Sequence, residues 1–222
     1  MRAPAVGDPM QNVIDHVAIG AATLEAGGAA LKDMLGVELA PGGKHPDMGT
    51  HNRLTRTGPG EFVELIAIDP EAPAPGHPRW FGLDEAATRA RLAAGPAPVS
   101  WVVRTDDLNA VLAATPEDVG TPRRLSRGNL TWTLTVPESG VAALGGLVPS
   151  FIQWDAEPHP ATGMQDAGLK LAGITLKSPE PAKVEAFLEA VGIAHLATVE
   201  EAPVAGLGFT LLTPDGRTVT LG

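Results

Sequence analysis

Two ionisable residues stand inside largely apolar runs: His16 in "IDHVAIG" (14–20) and Glu64 in "FVELIAID" (62–69). A histidine and a carboxylate are the side chains most used for general acid–base chemistry, and both can ligate divalent metals. If each run is a strand, alternation puts His16 on the face of Ile14 and Ala18, and Glu64 on the face of Phe62, Ile66 and Ile68. A carboxylate among such neighbours is costly unless a cation or hydrogen-bond donors meet it. The pair therefore lines a polar site, forms a structural His–Glu contact, or faces solvent on an edge strand. A second stretch, "GGKHPDMGTHN" (42–52), has Gly42, Gly43 and Gly49 to permit sharp turns and Pro46 to stiffen the chain between them. It either presents His45, Thr50 and Asn52 to a polar ligand or uses them to satisfy its own backbone. His159, in "EPHPA", is a third candidate acid–base group.

Other chemistries lack their residues. The chain has no cysteine, which removes thiol nucleophiles and Cys-ligated zinc. "GAATLEAGG" lacks the lysine and spacing of a phosphate loop, and no GxSxG elbow occurs, so neither a nucleotide cofactor nor a hydrolase nucleophile is expected. A formal net charge of −10 and 4% aromatic residues argue against a nucleic-acid partner. The basic run "PRRLSR" (122–127) reads as a solvated strand or turn. No apolar stretch is long enough to span a bilayer, and "MRAPAVGDPM" has no apolar signal core. A cytoplasmic protein acting on a small molecule is the expectation, with a homodimer left open.

Three stretches share the order strand, amphipathic helix, short strands. The first covers 11–70: "NVIDHVAIG" is followed by a helix with Leu24, Leu31 and Leu35 on one face and Gly36 as its stop. "THNRLTRTG" and "FVELIAID" then flank a "GPGE" turn. Residues 71–97 read as a Pro/Gly-rich linker with room for a helix. The second unit, 98–155, starts at "PVSWVVRT", continues into a helix capped by Asp106, and ends in "PSFIQWD". After a linker at 156–168, the third unit (169–222) has a helix opened by Ser178 and closed by Gly192. The predicted fold class is α+β: repeated βαβββ modules whose curved mixed sheets pair around a cup-like cleft, where a ligand would bind.

The repeat, "IDHVAIG" opening the first unit and "EFVELIAID" closing it, resembles the vicinal oxygen chelate superfamily. "PGGKHPDMGTHNRL" (41–54), with that glutamate strand and "SFIQW" (150–154), is similar to its glyoxalase-like domain branch. The resemblance implies a cup of strands with metal ligands on the first and last strand of each module. It places His16 and Glu64 at two of those positions. Superposing "VIDHVAI" on "PVSWVVR" and "FVELI" on "FIQWD" puts Trp101 and Gln153 at the other two. Trp101 cannot ligate, and Gln153 is a weak neutral donor. The implied metal set is thus His16, Glu64 and Gln153, holding Fe, Mn, Ni or Zn, with His45, His51 or His159 open as a completing ligand. Trp101 would instead wall the cup against a substrate ring, with Asn52 and Gln153 as polar clamps. The resemblance implies an enzyme acting on a small oxygenated organic substrate, with Glu64 as ligand or base. A metal-free sequestering protein, or a degenerate module that binds a partner, are the alternatives.

Overall fold

Strand-forming runs of valine, isoleucine and threonine alternate with three helices whose apolar faces repeat at helical spacing, and the chain follows that grammar. A computed structural model describes residues 12–155 and 158–222. The first unit runs β1 (Val13–Gly20), α1 (Leu24–Leu35), β2 (Ala40–His45), β3 (Thr50–Gly58) and β4 (Glu61–Ile68). Thr23 caps α1 by accepting the Ala26 N–H, and Gly36 ends it in the left-handed region at φ 71°. After α2 (Ala86–Ala94) the second unit runs β5 (Ala97–Arg104), α3 (Leu108–Ala114), β6 (Thr121–Arg127), β7 (Leu130–Val136), a one-turn α4 (Ala143–Gly146) and β8 (Ser150–Trp154). The α3 cap is Asp107, which accepts the Ala110 N–H, rather than Asp106.

These two units share one eight-stranded sheet in the order β2-β3-β4-β1-β5-β8-β7-β6. In both, the first strand pairs in parallel with the last: β1 with β4, and β5 with β8. Antiparallel pairing of β1 with β5 joins the halves at the centre. The sheet curls into a cup whose inner face carries Ile66, Val102, Trp132, Leu134 and Ile152. The α+β class and the paired βαβββ cup are as the sequence predicts.

The third unit, β9 (Lys170–Ser178), α5 (Pro181–Ala190), β10 (Thr198–Glu201), β11 (Gly206–Leu212) and β12 (Thr218–Leu221), keeps the element order but not the pairing. Its first strand lies inside a separate sheet, order β10-β9-β11-β12, parallel to the second strand instead of the last. Ser178 precedes α5 by more than a cap position and instead accepts the Glu180 N–H, while Gly192 lies beyond the helix end at φ 71°. Ile174, Leu176, Phe209 and Leu211 pack with Trp101, Val103 and Phe151 in one apolar core, so the third unit covers the outer face of the cup.

Candidate functional site

The pocket inside the cup holds about 520 Å³ of empty space, its mouth included. Its ionisable wall comes from the first unit, with His16, His45, Asn52 and Glu64; its apolar wall comes from Trp132, Leu134, Ile152 and Trp154 of the second. Trp80 and Phe81, from the stretch that links the two, complete the aromatic lining.

A bulge sets the geometry. Along β1 the register runs Ile14↔Val103 and then His16↔Val102, leaving Asp15 as an extra residue. A bulge breaks strict alternation and re-aims side chains. Ile14 therefore packs with the outer core rather than sharing a face with His16. The fully buried Asp15 puts Oδ1 2.6 Å from His16 Nδ1. Its Oδ2 accepts from Trp154 Nε1 at 2.8 Å and from His159 Nε2 at 2.9 Å. Because His159 Nδ1 accepts the Ala161 N–H, Nε2 is the ring nitrogen that presents a proton to Asp15.

Burial alone would push the Asp15 carboxyl up. The hydrogen bonds and charges of His159 and His16 outweigh that and hold it well below the ordinary range. The mirror-image balance acts on His16. Burial pushes its pKa down, the hydrogen bond and charge of Asp15 together with the Glu64 charge raise it more, and the net shift is upward. Its Nδ1 is committed to Asp15, so Nε2 is the working end, 3.6 Å from Glu64 Oε2. The ring also stacks on Phe62 at 4.6 Å, which fixes its plane.

Glu64 is held from its other side. Asn52 Nδ2 donates to Glu64 Oε1 at 2.6 Å, and Asn52 Oδ1 accepts the Gly43 N–H at 2.7 Å. The backbone donor fixes which way the amide points. The same Nδ2 approaches His45 Nε2 at 3.4 Å, which assigns the His45 proton to Nδ1, donating to Thr50 Oγ1 at 3.0 Å. Burial drives His45 down to about 4, with the Arg127 and His16 charges adding to the shift and Glu64 opposing it. A histidine kept neutral thus stands beside one favoured as the cation.

The structure brings His16, His45, Asn52 and Glu64 to one pocket, with Thr50 behind His45. It separates others that the sequence reading placed there. Trp101 pairs with Val17, not His16, and points to the opposite face. There it is fully buried in the outer core, with Nε1 donating to the Leu147 carbonyl at 2.8 Å. Gln153 is likewise turned away; its Oε1 accepts the Leu108 N–H at 2.9 Å at the start of α3. Superposition by strand pattern missed the face in both cases: for Trp101 a bulge at Asp15 shifts the register between β1 and β5, and for Gln153 the match is off by one residue along β8, where Ile152 lines the pocket. His159 lies buried behind the site against Asp15 rather than across its mouth. The "GGKHP" stretch is half strand: Gly42 and Gly43 belong to β2, at the edge of the sheet. The basic run is not wholly solvated either, since Arg127 at the end of β6 lines the pocket. Asp15 and Arg127 are the residues that sequence reasoning passed over.

The donor set does not fit a divalent metal. Among the described residues, no group of three His, Cys, Asp or Glu side chains is arranged to hold one. With Gln153 turned away, what remains in the pocket is His16 Nε2, one Glu64 oxygen and, of the histidines left open as a completing ligand, His45, whose Nε2 faces the Asn52 amide, while His159 is turned to Asp15. The other Glu64 oxygen receives an N–H from Asn52, and the Arg127 guanidinium adds a positive charge to the same wall.

The sequence model of the glyoxalase-like domain family matches residues 14–192, and the chain belongs to that family. A solved structure of a hypothetical protein from Staphylococcus aureus is 15% identical, with a TM-score of 0.66, over 95% of this chain and 98% of that one. It establishes a common fold. Methylmalonyl-CoA epimerase from Mycobacterium tuberculosis is 20% identical, with a TM-score of 0.41, over 65% of this chain and 88% of that one. A hypothetical protein from Bacillus halodurans C-125 is 14% identical, with a TM-score of 0.45, over 67% of this chain and 98% of that one. Comparison with curated proteins finds no match. Among the described residues, no helix is long and apolar enough to cross a membrane.

Proposed function

We propose that this protein is an enzyme that moves a proton on a small oxygenated organic substrate, using its own side chains and no metal. The observation that carries the reading is the juxtaposition of Glu64 Oε2 with His16 Nε2 at 3.6 Å, in a pocket where Asp15 takes the other His16 nitrogen. An imidazolium and a carboxylate side by side supply a donor and a base to one substrate. Glu64 removes a proton from the carbon next to a carbonyl; the C–H electrons form the C=C bond and the carbonyl π electrons move to oxygen. His16 Nε2–H meets the charge developing on that oxygen. Once solvent has replaced the proton on Glu64, its delivery to the same carbon completes an exchange; delivery to the neighbouring carbon completes an isomerisation. Asn52 keeps Glu64 oriented, and Asp15 favours the protonated form of His16 and fixes its rotation.

Phenylpyruvate, an enolisable aryl carbonyl compound, is a suitable probe. In D₂O, the wild type is expected to exchange its C3 hydrogens faster than buffer, followed by proton NMR. Glu64→Gln should lower that excess rate by about 10²–10⁴-fold. Exchange no faster than buffer, or equal in Glu64→Gln, overturns the reading. The aromatic lining by Trp80, Phe81, Trp132 and Trp154 favours a second one, a sequestering protein, which would bind the probe without exchanging it.

A further inference from the structure

Arg127 ends the edge strand β6, at the opposite margin of the sheet from β2. The cup curls far enough for these margins to meet. A Cβ placed on Gly43 would lie 2.6 Å from Arg127 Cδ, and one on Gly42 would lie 2.1 Å from Asn52 Oδ1. Consecutive glycines in β2 thus make the room in which the Asn52 amide and the Arg127 arm lie against the backbone. Arg127 reaches the pocket by this route and is positioned by it.

The guanidinium is poorly used once there. Among the described residues its one contact with a side-chain acceptor is Asn52 Oδ1, at 3.5 Å, and that oxygen is already engaged by the Gly43 N–H at 2.7 Å. Among the described residues no carboxylate forms an ion pair with it, whereas Arg79, Arg89, Arg124 and Arg217 each have one. Its charge is felt inside the pocket, where it opposes protonation of both His16 and His45. A planar fork of N–H donors, partly withdrawn from water and left with free valence, matches a carboxylate in two-pronged fashion.

We infer that Arg127 is the anchor for a carboxylate carried by the ligand, and that the ligand is a monoanionic organic acid with an aryl or branched apolar body. The body is specified by the opposite wall, where Trp132, Leu134, Ile152 and Trp154 offer no charge. A single negative charge is specified by Glu64, which among the described residues shares the pocket with one permanent cation and would repel a dianion. Proton transfer by Glu64 and His16 is the setting of this inference, but anion binding is measured separately from it.

The test uses the full chain and two neutral-versus-charged probes of one shape, phenylacetate and phenylacetamide, titrated against tryptophan fluorescence. Phenylacetate is expected to bind the wild type more tightly than the amide. Arg127→Gln should weaken phenylacetate by about tenfold or more, the worth of a charged hydrogen bond, while leaving the amide within about twofold. Arg127→Lys, which keeps the charge and loses the fork, should fall between. Gly43→Ala, which displaces the arm while keeping the guanidinium, should lose phenylacetate selectively as well. Thermal unfolding confirms that each variant is folded. Equal binding of acid and amide to the wild type, no binding of either at millimolar concentration, or equal loss of both in Arg127→Gln overturns the assignment. Benzylphosphonate, a dianion near neutral pH, binding more tightly than phenylacetate overturns the monoanion. Selective acid binding without phenylpyruvate exchange leaves the anchor standing and removes the enzyme reading. Exchange that depends on Glu64 while acid and amide bind alike does the reverse.

Discussion

The two halves of the cup share one topology and have opposite chemistry. On the first half, β1, β3 and β4 deliver His16, Asn52 and Glu64 to the pocket; on the second, β7 and β8 deliver Trp132, Leu134, Ile152 and Trp154. The cross-strand partner of His16 on β5 is Val102. A duplicated scaffold that faces itself usually offers two equivalent walls. Here one wall carries the ionisable groups and the other is apolar, except that Arg127 on β6 of the second half reaches across to the polar side, which suits a single ligand with a polar end and a greasy end. The halves are not independent, however. Trp154 of the apolar half donates to Asp15 of the polar half, so the indole that walls the pocket also holds the carboxylate that fixes His16.

That asymmetry can be broken from either side. The largest effect is expected for Asp15→Ala, which removes the buried acceptor shared by His16, Trp154 and His159. Chemical denaturation should show a loss of about 3–5 kcal/mol, the range for breaking a buried charged contact. If Asp15 merely fills space, Asp15→Ala will cost far less and leave phenylpyruvate exchange intact.

Trp101→Phe addresses the second half from behind. It deletes the N–H that satisfies the Leu147 carbonyl and should cost about 1–3 kcal/mol. Ligand affinity should not change, because Trp101 faces the third unit. A change in phenylacetate affinity would mean that the outer core and the pocket are coupled across the sheet.

The gradual effect is a pH slope. His45 has its pKa lowered to about 4 on folding, so the unfolded chain takes up a proton that the folded chain refuses. Stability should therefore fall as pH drops from about 6.5 toward 4, where an unfolded histidine is charged. His45→Gln should flatten that decline. His16, raised on folding, contributes in the other sense: its stabilisation is complete below about 6.5 and is lost as pH rises through its folded value. His16→Gln should flatten the alkaline side of the profile. Urea midpoints measured across the pH range check both.

Much of this site was legible in the residues. His16 and Glu64 stood out because each breaks an apolar run, and the glycine-rich stretch drew attention to His45, Thr50 and Asn52. What stayed hidden depended on register and on closure. Asp15 reads as the solvent-facing neighbour of His16 under period-2 alternation, and only the bulge turns both inward. The adjacency of two polar residues inside "IDHVAIG" was the available signal. Trp101 and Gln153 were placed by matching strands as strings, and a shift of one residue exchanges the faces of a sheet. Arg127 looked like one more surface charge, because nothing local states that β6 curls round to meet β2. The βαβββ order of the third unit was readable, yet which strand lies inside its sheet is decided by packing against Trp101 and Phe151.

The meeting of β2 and β6 has one more consequence. A curved sheet that does not close into a barrel keeps two margins of unpaired backbone, and such margins recruit strands from other molecules. Here each margin is spoiled for that purpose. Pro41 in β2 and Pro122 in β6 each remove an amide donor, and Lys44, Arg123 and Arg124 set like charges along them. The cleft between these two margins is where the sheet would otherwise grow, and the same two strands keep it from becoming an aggregation site.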